Sequence, residues 1–298
     1  MQKQPVFFVW ALILGLTLWA LIFCPAQIQA RSSAKHKCQT LQIKGSDTMV
    51  NLGQAWAEEF MRLHPTVHLA VTGGGSGTGI AAILAGTCDI AQSSRDLSQE
   101  EQESAKAANK IIMETPVAWD GIAVVVHTAN PVSELTVKQL ADIFTGTIQN
   151  WNEIGGNDLP ILVLSRERNS GTHVFFLEHV LRGGNAKGTE EFAQTALMMP
   201  SSQSIVQEVE TSEAAIGYVG VGYVTNRIKT IRVARDHNGP YLLPTLDAIQ
   251  AGEYPIARPL LFLTLGESQG DIKSFIDFVL SPAGQEIVKA LDFVPLEK

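Results

Sequence analysis

The chain has 298 residues, 45% of them hydrophobic and 17% charged, which is enough for about two packed domains and too apolar for disorder throughout. Lysine and arginine number 22 against 30 aspartates and glutamates, and the resulting net charge of −8 argues against nucleic acid as the main ligand. An acidic chain that holds an anion must do so with local groups, not with its overall field.

The N-terminus reads as a separate object. Lys3 is followed by the uncharged run Val6 to Phe23, and Ala30 offers a small residue where cleavage could end the segment. Residues 1–30 are therefore expected to be a secretory signal peptide or, if uncleaved, an N-terminal anchor. Cys24 is a poor lipidation site because Phe23 precedes it. Export leaves Cys38 and Cys88 in an oxidising compartment, where a disulfide between them is expected and two separate buried thiols are the alternative.

The remaining pattern is strand, loop, helix, repeated. Gln39 to Ile43 alternates as a strand, and Met49 to Leu63 has apolar residues at helical spacing up to Pro65. Val67 to Thr72 is a second strand, Gly73 to Gly79 a glycine-rich loop, Ile80 to Ala85 a helix and Cys88 to Ala91 a short strand. Ser98 and Glu101 have capping-box spacing. Ile111 to Val117 and Ile122 to Val126 read as two strands separated by Ala118-Trp119-Asp120-Gly121. Thr136 to Phe144 is a helix, Ile161 to Leu164 a strand, Ser165 to Thr172 a polar loop and Val174 to Leu181 a helix. Strands are expected at Ala214 to Tyr218, Lys229 to Val233 and Leu260 to Leu263, then helices at Ile272 to Leu280 and Gly284 to Leu291. This is an α/β pattern with helical connections and no flexible linker.

Three loops have the composition of anion sites. Ser46 to Thr48, Gly75 to Thr78 and Ser170 to Thr172 each open a helical stretch, where unpaired N–H groups, glycines and hydroxyls collect. The tripeptide Ser-Gly-Thr occurs twice, at Ser76-Gly77-Thr78 and Ser170-Gly171-Thr172. Ordinary helix capping is the competing reading for each loop. Arg166 and Arg95 could supply bidentate guanidinium contacts, with surface ion pairing as the alternative for each. Other chemistry is less well served. Gly77 to Ala82 only partly matches a dinucleotide fingerprint, no phosphate-loop lysine follows the glycines, and the histidines lack metal-ligand spacing. No cofactor is expected.

The strings IKGSDTM, GGGSGTGIAAILAGTCDIAQSSRDL, DGIAVVV, LTVKQLADIFTGTIQNWNEIGG, SRERNSGT, AAIGYVG and FIDFVLSPAGQEIV, in order from about residue 39 to 297, resemble the PstS-type family. These are the phosphate-binding subunits of bacterial ABC importers. The resemblance implies an α/β, two-lobed periplasmic-binding-protein fold of type II, its lobes joined by crossing hinge strands. Lobe 1 would hold residues 38–116 plus 224–298, and lobe 2 residues 117–223. The implied ligand residues are Ser46, Asp47, Thr48, Ser76, Ser94, Arg95, Arg166, Ser170, Gly171 and Thr172. Better-known members carry an aspartate where Ser94 stands here, so Asp47 becomes the expected acceptor for the proton of hydrogen phosphate. The resemblance further implies a monomer outside the cytoplasmic membrane that hands inorganic phosphate to an ABC permease, without enzymatic activity. The alternatives are another oxyanion such as molybdate or sulfate, a sensing role with an uncleaved anchor, or an enzyme acting on phosphate esters.

Overall fold

The computed structural model describes residues 40–296. The expected signal segment and Cys38, one half of the expected disulfide, lie outside the described residues; Cys88 is buried.

The first third alternates as expected through β1 (Thr40–Gly45), α1 (Val50–Leu63), β2 (His68–Thr72), α2 (Ser76–Ala85), β3 (Ile90–Ser93) and α3 (Gln99–Ala107). Helix α1 buries Leu52, Trp56 and Phe60 on one face, as their spacing requires. Helix α3 opens on the Ser98–Glu101 capping box. Helix α2 starts at Ser76, earlier than Ile80, because Gly75 takes φ +90° and turns the chain directly into it.

The chain continues through β4 (Ile112–His127), β5 (Glu134–Thr136), α4 (Val137–Phe144), β6 (Leu162–Arg166) and α5 (Gly171–Phe176), which runs into a π-helical turn at Leu177–Leu181. Then come β7 (Leu197–Met199), α6 (Ser202–Thr211), β8 (Ala215–Gly220), β9 (Ile228–Thr230) and β10 (Arg232–Ala234). The last elements are α7 (Leu246–Gln250), β11 (Ala257–Leu265), α8 (Gly270–Leu280) and α9 (Pro282–Ala290).

Strand β4 departs most from expectation. The two anticipated strands are one strand of 16 residues, and Trp119-Asp120-Gly121 stays extended within it. Its first part pairs antiparallel with β11, from Ile112↔Leu265 to Gly121↔Ala257, and its second part pairs with β8 and β9. Arg258 stands directly opposite Asp120. The Asp120 charge is neutralised across the ladder, so the strand need not end there.

The main sheet runs β2-β1-β3-β11-β4-β8-β6-β7, with β9 also on β4. One core packs Trp56, Phe60, Phe275 and Val288 against Ile43, Leu260 and Phe262. A second gathers Phe144, Trp151, Phe176 and Tyr218 against Ile122, Val124 and Val126. A third takes Ala123 and Val125 from the other face of β4, which explains why this stretch is apolar without alternation. Ile231, Val233, Ala248, Ile249, Tyr254 and Ile256 all pack in the second core. These residues lie in the 224–298 segment that the resemblance places in lobe 1. Those apolar side chains stay with the second core until β11 begins.

Candidate functional site

Four loops at strand ends converge on one buried point. At the end of β1, Gly45 adopts φ +146°, and a Cβ there would lie 2.1 Å from the carbonyl oxygen of Gln92. This close approach lets the Ser46 N–H donate to that oxygen at 2.8 Å and sets the Ser46 hydroxyl 2.9 Å from Ser94 Oγ. Asp47 and Thr48 follow in a short 3-10 turn. The Tyr223 hydroxyl fixes that turn by donating to the Asp47 carbonyl at 2.7 Å.

The second loop brings Ser76 to the first turn of α2, where its hydroxyl accepts the Ser94 N–H at 3.1 Å. The fourth loop brings Ser170, Gly171 and Thr172. Ser170 accepts the His173 N–H at 3.4 Å. Gly171 lies so close that a Cβ would sit 2.3 Å from Ser76 Oγ and 2.7 Å from Ser94 Oγ. Thr172 Oγ1 is 2.8 Å from Thr48 Oγ1. Ser46, Thr48, Ser76, Ser94, Ser170 and Thr172 are all buried.

Arg166 ends β6 and is also buried. Its guanidinium donates to Ser202 Oγ at 3.0 Å and to the carbonyl oxygens of Pro200 and Met199 at 3.0 and 3.3 Å. It also forms an ion pair with Asp47. Beneath it, Ser165 Oγ bridges Tyr218 Oη at 2.7 Å and His173 Nδ1 at 3.1 Å. Burial pushes the His173 imidazole down to about 4 and the Tyr218 phenol up to about 12, so both are neutral near pH 7.

Nine of the ten expected residues meet at this cluster, and the tenth is committed elsewhere. Arg95 donates to both carboxylate oxygens of Glu101, at 2.7 and 2.8 Å, and to the Asp96 carbonyl at 2.8 Å. The physical reason is the capping box of α3, which carries Glu101 back toward Ser98 and within reach of Arg95.

Three contributors were not singled out from the sequence. Arg258 and Asp120 form a fully buried ion pair at 2.9 Å, and Arg258 also donates to Thr172 Oγ1 at 2.9 Å and to the Ser94 carbonyl at 2.8 Å. Burial raises the Asp120 carboxyl above its usual range, with Arg258 opposing the shift. Asn169 is the third. Its side-chain N–H donates to the Gly74 carbonyl at 2.9 Å, and its own carbonyl accepts the Gly77 N–H at 3.0 Å. The signal for the pair was a charge flanked by apolar residues in each of two strands, because charges at such places must find each other. Asn169 carried no comparable signal.

Each arginine in the cluster is matched by an aspartate, so the four charges cancel. What the cluster offers is a dense set of oriented hydroxyl, N–H and guanidinium donors in a buried space, suited to a small oxyanion.

The chain matches the family model of the PBP superfamily domain over residues 30–283. It is 31% identical over 273 residues to the phosphate-binding protein PstS of Pseudomonas aeruginosa, covering 85% of this chain and 81% of that one. It is 33% identical over 259 residues to PstS of Bacillus subtilis, covering 86% and 81%. Among solved structures, it is 35% identical to a Clostridium perfringens protein with bound phosphate, with TM-score 0.78 and coverage of 87% and 100%. An ABC-type phosphate transport receptor from Vibrio cholerae is 31% identical, with TM-score 0.69 and coverage of 86% and 100%. These likenesses establish that the chain belongs to the PstS family of the PBP superfamily.

Proposed function

We propose that this protein captures inorganic phosphate outside the cytoplasmic membrane, holds it unchanged between two lobes as a monomer, and passes it to an ABC permease. The observation that carries the reading is the convergence of six buried hydroxyls and the Arg166 guanidinium from loops that follow β1, β3 and β6 and open α2. Ser46, Thr48, Ser76, Ser94, Ser170 and Thr172 donate to the anion, Gly171 supplies an N–H, and Arg166 adds guanidinium N–H donors. Asp47 accepts the proton of hydrogen phosphate. Sulfate lacks that proton and would leave two negative groups opposed, which is the physical basis of selectivity.

The lobes change over at Trp119–Gly121 on β4 and Ala257–Pro259 on β11. Lobe 1 then comprises the residues before this point on β4 and those after it on β11, and lobe 2 the segment between. Closure on the anion is a hinge motion about these two strands.

Thermal denaturation of the full chain with phosphate, sulfate and molybdate tests the reading. Phosphate is expected to raise the melting midpoint by linkage, by an amount that grows with its concentration above Kd, and the other anions much less. Equal shifts from all three would defeat the selectivity claim, and a shift from molybdate alone would reassign the ligand.

A further inference from the structure

We propose that Arg258 is a second guanidinium ligand of the anion, carried on a crossing strand, and that Asp120 is the residue that positions it. The proposal rests on the oxyanion-binding reading above and adds a part that the expected ligand set lacks.

Arg258 reaches three of the four loops at once. Its Nη1 donates to the Ser94 carbonyl at 2.8 Å, and its Nη2 lies 2.9 Å from Thr172 Oγ1 and 3.4 Å from Thr48 Oγ1. Asp120 Oδ2 accepts from Nε at 3.1 Å and from Nη2 at 2.9 Å, which fixes the plane of the fork. Asp120 is itself held by the Val221 N–H, which donates to Oδ1 at 3.1 Å. Phe175 places its ring 5.5 Å from the guanidinium carbon, a further constraint on orientation.

Position in the fold gives this arrangement its meaning. Arg258 and Asp120 are direct cross-strand partners on β11 and β4, the two strands where the chain passes from one core to the other. A cation there does not belong to either set of loops. Loops from both sides come to it, and Thr48 and Thr172 touch it together. As a mere brace the pair would be a poor choice, because burying two charges costs several kcal/mol per ion and apolar replacements often match such pairs in stability. A guanidinium pre-aimed at an oxyanion is a use that apolar residues cannot supply.

The test measures calorimetric binding of inorganic phosphate to the full chain, with the anion-free melting midpoint recorded alongside. The double variant Arg258→Met with Asp120→Asn removes both charges and leaves Asn to accept the Val221 N–H. It should melt within a few degrees of wild type and bind phosphate about 100-fold more weakly. Arg258→Lys keeps the charge but loses the fork, and it should bind about tenfold more weakly, mainly through faster dissociation. A purely structural role would leave affinity alone, so a folded double variant binding within about threefold of wild type would overturn the inference. If the double variant does not fold, Arg258→Lys decides, and wild-type affinity there overturns it. A wild-type chain that binds no oxyanion defeats the underlying reading before any variant is made, and the inference with it.

Discussion

The hydroxyl oxygens of Thr48 and Thr172 lie 2.8 Å apart, although their loops follow β1 and β6, strands with β3, β11, β4 and β8 between them. The same meeting of loops recurs nearby, where Asn169 holds Gly74 and Gly77 and where Gly171 rests on Ser76 and Ser94. Anion affinity in such a site depends on how closely the loops approach as well as on the donors themselves.

Gly171→Ala separates those two effects. The added methyl carbon would sit 2.3 Å from Ser76 Oγ and 2.7 Å from Ser94 Oγ, yet no donor is removed. Overpacking of this kind costs about 1–3 kcal/mol, so phosphate should bind about ten- to a hundredfold more weakly in calorimetry. The loss of affinity should exceed any loss of stability in the anion-free melting midpoint, since no core contact or donor is removed. Wild-type affinity would mean that Gly171 and Ser76 stay apart in the bound protein.

Asp47→Asn probes the proton acceptor. Asp47 is ion-paired with Arg166 at the junction of the first and fourth loops. Asparagine keeps the shape and offers a donor in place of one oxygen, so the penalty against an unprotonated anion falls. At pH 8 the preference for phosphate over sulfate should narrow by about tenfold or more, measured as the ratio of the two affinities. An unchanged ratio would assign proton reading to another group.

Most of the cluster was legible in the sequence because each loop carries its own local signal. Glycine and hydroxyl residues at a strand end, followed by helical spacing, needed no distant information. What sequence reasoning missed was long-range. Arg258 and Asp120 lie 138 residues apart, and only the β4–β11 register joins them. The commitment of Arg95 to Glu101 follows from a capping box whose spacing was visible but whose reach toward Arg95 was not. Helix α6 was overlooked because serine, glutamine and glutamate dominate it. Its signals were the Ser201 cap and the buried pair Ile205 and Val209, four residues apart. The merging of two expected strands into β4 is tied to the same hidden ion pair, since only the partner on β11 shows how Asp120 can stay within an extended, buried strand.

His173 should make the fold sensitive to acid. Its ring stacks on Phe192 with centroids 4.7 Å apart and bonds Ser165 Oγ at 3.1 Å. Burial holds its folded value down at about 4, against about 6.5 when unfolded. Between these values the unfolded chain takes up a proton that the native chain refuses, so stability is fully present above about pH 6.5 and falls as pH drops toward 4. By pH 5 the loss from this group is about 2 kcal/mol. Urea denaturation of wild type and His173→Gln at pH 7 and pH 5 measures it. The variant should lose less stability between the two pH values, and an equal loss would place the acid sensitivity elsewhere.

Gln92 offers a route to a more stable protein. It lies on β3, wholly buried, and its Oε1 and Nε2 lack hydrogen-bond partners among the described residues. Helix α1 passes close over it, so that a Cβ on Gly53 would lie 2.3 Å from Nε2. A buried amide left unpaired costs about 1–3 kcal/mol, whereas leucine fills a similar volume with no polar group to satisfy. Gln92→Leu should therefore raise unfolding stability by about 1–2 kcal/mol, seen as a higher urea midpoint at unchanged slope. The Ser46 N–H donates to the main-chain oxygen of residue 92, not to its side chain. The first anion loop should keep its shape, and phosphate affinity should stay within about twofold. A loss of stability would show that the amide is paired after all, by solvent drawn between α1 and the sheet.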